Sequence, residues 1–174
     1  MNTGQDHRAI TPSSTANPNH NVKAFCLISL FILGGALDIY AQRSSFYDAL
    51  HHGNLEALNN QLTYTAKVKD NNLRNGYEGA VCCRIAGMES TPLKKLETFK
   101  KGAGLLEEAI KQEPEKAELR FLRLIIQEHA PGILGYNENI KDDCLHIRQE
   151  YPHMDAELKV IVKDYDLNSE NLSL

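Results

Sequence analysis

No segment of this 174-residue chain reaches the roughly 20 consecutive apolar residues of a membrane-spanning helix. The longest apolar run, residues 24–37, holds 14 and stops at Asp38. Tryptophan is absent, and no convincing alternating run marks a β-strand. Basic residues are outnumbered, 19 Lys and Arg against 23 Asp and Glu, a net charge of −4 that argues against a nucleic-acid partner. A polybasic tract for a membrane surface is also lacking. So are a CxxC pair, an HExxH motif, a Gly-rich phosphate loop and a recognisable Ser or Cys nucleophile motif. The chain therefore reads as non-enzymatic, with no catalytic residue, metal or cofactor expected.

What is present first is an address. Lys23 precedes the apolar run, and Ala41 supplies a small residue before Gln42, the pattern of a cleaved secretory signal. The expectation is a leader plus signal over residues 1–41, a single helical domain over 42–168 and a frayed tail over 169–174. The product would be periplasmic or secreted. The alternative is an uncleaved inner-membrane anchor, in which case the membrane is met only through this segment. Cys26 lies inside the run, so no lipoprotein cysteine follows it. Removing residues 1–41 takes away two charges of each sign and leaves the net charge unchanged.

Beyond Gln42 helical periodicity runs almost throughout. Ser45 to Asp48 resembles a capping box, and Asn54 and Asp155 stand where helix caps belong. Asp70-Asn71-Asn72 reads as a turn. After it Leu73, Tyr77, Val81, Ile85 and Met88 form one stripe, while Gly76, Gly79, Ala80, Cys83, Ala86 and Gly87 make the helix thin. Thr91-Pro92 opens a helix with Leu93, Leu96, Phe99, Ala103, Leu106 and Ile110 on its apolar face. Lys94, Lys95, Lys100 and Lys101 form its wet face, with docking to an acidic partner or an anionic membrane as the alternative use. The segment from Ala117 to Glu128 is apolar nearly all round, the mark of a helix in the middle of a domain. His129 to Tyr136 reads as a loop folding back on the core, Asn137 as the cap of a helix carrying Ile140, Cys144 and Ile147, and Pro152 as its stop. The expected fold is all-α: about seven helices in antiparallel hairpins joined by short connections.

Gly102, Leu106, Ala109 and Pro114 match the spacing of the second helix of a tetratricopeptide repeat. The chain resembles that family over this one helix and its turn. The first-helix signature and a 34-residue period are missing, which implies a divergent, tetratricopeptide-like array. Tyr77-Glu-Gly-Ala80, Lys94 to Gly102, Leu105 to Ile110, Glu118 to Arg123 and Leu134-Gly-Tyr136 also resemble a group of small exported bacterial proteins of unassigned activity. That likeness implies export and a helical fold, and no catalytic residue.

Arg120 and Arg123 sit three apart on the most apolar helix and need partners there. Glu78 is the first candidate, with Glu107, Glu108 and Glu118 as rivals. Glu78, Arg120 and Arg123 thus form the candidate binding site. It is either an ion pair fixing helix register or an open site for an anion or a peptide carboxylate. Asp142-Asp143 and Glu107-Glu108 fall on faces expected to be wet. His51 and His52, adjacent on a helix, should diverge and make a poor ligand pair. Cys82 and Cys83 point about 100° apart on a helix. They fit small core fillers, or one of them could pair with Cys144. The role that follows is a non-catalytic interaction module whose partner is another envelope or secreted protein. The alternative is a small ligand-binding protein or an unrecognised hydrolase with a Glu/Arg site between helices.

Overall fold

A computed structural model describes residues 42–174. The apolar run 24–37 and the expected cleavage after Ala41 lie outside the described residues. The described residues contain seven α-helices and no strand. They are α1 (residues 42–52), α2 (Leu55–Thr65), α3 (Asn71–Ala86), α4 (Pro92–Gln112), α5 (Ala117–His129), α6 (Ile140–Glu150) and α7 (Ala156–Asp166). Two single 3-10 turns, Gly132–Leu134 and Tyr151–His153, lie between the later helices. Among the described residues no helix is long and apolar enough to cross a membrane.

The starts follow from side chains that satisfy free backbone N–H groups. Asn54 accepts from Ala57 N at 2.9 Å, Thr91 from Lys94 N at 3.3 Å and Asp155 from Leu158 N at 2.9 Å. Three expectations are corrected here. Helix α1 is already running at residue 42, so Ser45 lies inside it rather than at a capping box. Asp70 is a cap rather than part of a free turn: its carboxylate accepts from Asn72 N and Leu73 N, so α3 begins at Asn71. Helix α6 is preceded by Asn139, not capped by Asn137, and has no side-chain cap.

Helix α5 is the axis of the domain. Leu119, Phe121, Leu122, Leu124, Ile125 and Ile126 are all buried, as an all-round apolar helix requires. The thin helix α3 lies against α4. Gly76 faces Ala109, Gly79 faces Gly102 and Leu106, and Cys83 faces Gly102 again. The partner number falls as the α3 number rises, so these two helices run antiparallel. Helix α1 docks through Phe46, whose ring centroid lies 4.3 Å from that of the buried Tyr77.

The expected fray over residues 169–174 does not occur. Leu172 is fully buried, Ser169 Oγ donates to Glu128 Oε1 at 2.8 Å and Asn171 Nδ2 to the same oxygen at 2.7 Å. Arg148 Nη1 donates to the Leu172 carbonyl at 2.6 Å. The polar letters that read as a loose end are the ones that tie it down.

Candidate functional site

Arg123 is held on every side. Its Nε and Nη2 donate to the two oxygens of Asp143 at 2.7 Å each, and its Nη1 to Glu107 Oε2 at 2.7 Å. Arg120 Nη1 reaches the same Asp143 at 3.2 Å, and its Nε donates to the Pro114 carbonyl at 2.7 Å. Tyr136 OH donates to the other Glu107 oxygen at 2.6 Å. Burial alone would lower the pKa of Arg123, but Asp143 and then Glu107 outweigh it and raise it. The network ties α4, α5, α6 and the loop before α6 into one register.

Glu78 is not brought to this pair. It lies half-buried beside Leu62, Thr65, Ala66 and Arg74 at a separate opening. The expectation of a Glu78 partner is thus corrected: Glu107, one of its rivals, pairs with Arg123, and the main partner is Asp143. Asp143, expected on a wet face, is completely buried. The signal was available: Asp143 falls between Ile140 and Ile147 at helical spacing, on the stripe that faces the core.

A second buried carboxylate, Glu118, accepts from Arg43 Nε at 3.0 Å, from Tyr47 OH at 3.0 Å and from Tyr77 OH. Burial, then the nearby Glu118 charge, pushes both phenols far up from their ordinary value. Arg43 also reaches Asp155, the cap of α7, at 3.0 Å, and so clamps α1 to two other helices. These contacts are all internal.

The open chemistry lies elsewhere, in a cavity of about 340 Å³ between the end of α3, the start of α4 and the end of α5. Its position is set by three stops. Helix α3 ends at Ala86 and α4 begins at Pro92 under the Thr91 cap, so residues 87–91 form the connection at the cavity rim. Helix α5 ends because Pro131 disfavours helical backbone at Ala130, which is extended at ψ 135°. The 3-10 turn that follows closes on Gly135 at φ 61°, a left-handed conformation glycine adopts freely. It turns Leu134 onto the core and leaves Ile133 95% exposed.

Leu96, Phe99, Ile126, Ile133 and Leu134 give the cavity an apolar wall; Arg84, Lys95 and His129 are its ionisable basic side chains. Leu96 and Leu93, expected to face the core, are 39% and 66% exposed, and Met88 in the preceding turn is 41% exposed. Lys94, Lys95, Lys100 and Lys101 are exposed as expected.

Cys83 and His129 both line the cavity without forming a nucleophile–base pair. The Cys83 thiol donates to the Phe99 carbonyl at 3.7 Å and burial pushes its pKa up, while His129 Nδ1 is engaged by the Ile125 carbonyl at 2.8 Å. Cys82, Cys83 and Cys144 are free thiols. Burial raises Cys144 to about 11.

The expectation that His51 and His52 diverge is overturned. At the end of α1 their rings meet edge to face, with His51 Nδ1 2.8 Å from His52 Nε2, and His129 lies 5.5 Å away between ring centroids. Among the described residues no three His, Cys, Asp or Glu side chains converge as metal ligands would. Comparison with known protein families, characterised proteins and solved structures finds no match.

Proposed function

We propose that the chain is a non-catalytic, exported helical module that holds an apolar peptide segment of another envelope or secreted protein in the groove between α3, α4 and α5. One observation carries this reading: Ile133 and Leu96 are large apolar side chains exposed in the groove wall, and the exposed Met88 and Leu93 adjoin its lining residues Gly87 and Pro92 in the chain. Helical arrays of the tetratricopeptide type bind partners along such concave surfaces, and the antiparallel α3–α4 pair is in keeping with that organisation. Export with cleavage after Ala41 would leave α1 intact, because its anchoring side chains begin at Arg43 and Phe46.

A photo-crosslinking amino acid placed at Leu96 in the tagged full-length protein, in its native cells, tests the reading. A control at Lys141, exposed on α6 and outside the groove wall, reports random collisions. The expected result is one dominant envelope protein joined at position 96 and absent at 141. The same spectra read whether the mature chain begins at Gln42. Recovery of the protein alone from both positions would overturn the interaction role.

A further inference from the structure

The cations of the groove deepen that reading, on which this inference rests. Arg43, Arg120 and Arg123, each held partly inside the fold, all have a carboxylate oxygen within 3.2 Å. Arg84 has no carboxylate partner. Its only hydrogen bond among the described residues runs from Nη2 to the His51 carbonyl at 3.2 Å, at the end of α1, and its Nε is buried with no partner. A guanidinium offers five N–H donors, and a buried unsatisfied one is costly. Burial accordingly lowers the pKa of Arg84. Lys95, which is exposed, also lacks a carboxylate partner: its ammonium donates to the Gly87 carbonyl at 2.9 Å.

No Asp or Glu lines this cavity. The chain as a whole carries −4, so a cationic apolar groove runs against its overall balance. Lys94, Lys100 and Lys101 continue the positive charge along the exposed face of α4.

We propose that the segment held in the groove is acidic as well as apolar, and that one of its carboxylate side chains pairs with the guanidinium of Arg84, with Lys95 as the second cation. The cavity of about 340 Å³ is near the lower end of ligand-pocket volumes. It therefore receives a few side chains of the segment, and the lysine face meets further acidic residues outside. Nε of Arg84 is closed off by the fold and Nη2 is bonded to the His51 carbonyl, so Nη1, which makes no hydrogen bond, is the donor a carboxylate would reach.

The test is fluorescence polarisation on the full-length chain with two labelled dodecapeptide libraries. In one the variable positions are drawn from Leu, Ile, Phe and Glu; in the other Gln replaces Glu. The Glu library is expected to bind about 10- to 100-fold more tightly, as a charge-assisted bond does, and to weaken as salt is raised. Arg84→Gln, checked for an unchanged melting temperature, should erase the difference between libraries, and Arg84→Lys should restore part of it. Lys95→Gln, at an exposed position and likewise checked for an unchanged melting temperature, should reduce it. Equal binding of the two libraries overturns the carboxylate pairing and leaves the apolar groove standing. Binding of neither library overturns the peptide-groove reading itself. Binding of decanoate by Arg84 with no affinity for the Glu library overturns the acidic segment in favour of a small anionic amphiphile.

Discussion

Gly79 and Gly102 face each other across α3 and α4 so closely that a Cβ built on either would lie 2.6 Å from the carbonyl oxygen of the other. The contact is reciprocal and is made by backbone on both sides, so no side chain can swing aside to relieve it. A thin α3 costs about 1 kcal/mol of helix propensity at each interior glycine relative to alanine. Close backbone packing offsets that cost.

Gly79→Ala and Gly102→Ala should each destabilise the domain by about 2 kcal/mol or more through overpacking. Gly104→Ala is the control, because nothing lies within 4 Å of its added methyl. It should stabilise by about 0.5–1 kcal/mol through helix propensity alone. Urea denaturation of the three variants reads the opposite signs directly.

Asp143→Ala should cost about 3–5 kcal/mol, because it leaves Arg123 buried without its main partner. Glu107→Gln should cost much less, since the Glu107 side chain is 40% exposed and water can replace it. Replacing Arg123 and Asp143 together with Met and Leu should recover much of the loss. A double-mutant cycle by thermal melts that came out additive would refute the coupling.

Removing residues 169–174 should lower stability by about 2–4 kcal/mol, the range for emptying a large buried aliphatic position. Leu172→Ala should reproduce much of that loss, because Leu172 is fully buried. A loose tail would cost nothing measurable in either variant.

Stability should fall as pH drops through the ordinary histidine range. Burial, then the neighbouring His52, His129 and Arg84, lowers the pKa of His51 from its usual 6.5 in the folded chain. The unfolded chain therefore takes up a proton before the folded one does. The stability is fully present above the unfolded value and is lost as pH falls from there toward the folded value. Asp70 is lowered by its bond to Lys116, and Asp155 by the Leu158 amide and Arg43 in spite of burial. Both act only below their usual value of 3.8, so they do not confuse the window. His51→Asn should flatten the melting temperature between about pH 7 and pH 5. An unchanged slope in that variant would show that another group is responsible.

The helical class could be read from the sequence because periodicity and caps are local. Asn54, Thr91 and Asp155 act within four residues of themselves, and the apolar circumference of α5 leaves it nowhere to sit but the centre. The Arg120–Arg123 pair was visible as a charge needing a partner; Glu107 was among the candidates, and the main partner, Asp143, was not. Glu78 and Asp143 are both carboxylates within reach of some helix arrangement, and only the way α6 lies on α5 selects Asp143. The tail misled for a similar reason: Ser169 and Asn171 read as solvated until Glu128, far away in sequence, is seen to accept from both.

The sequence by itself determined the helices, their order and which faces are apolar, because those follow from propensity, capping and spacing along one chain. The tertiary structure alone decided which charges are spent inside the fold and which are left over. Arg123 and Arg84 are the same residue type on neighbouring apolar helices; one meets Asp143 and the other only a backbone carbonyl. It also decided that Leu93 and Leu96, on the apolar face of α4, stay exposed, because the described fold lays no other element over the first turns of that helix.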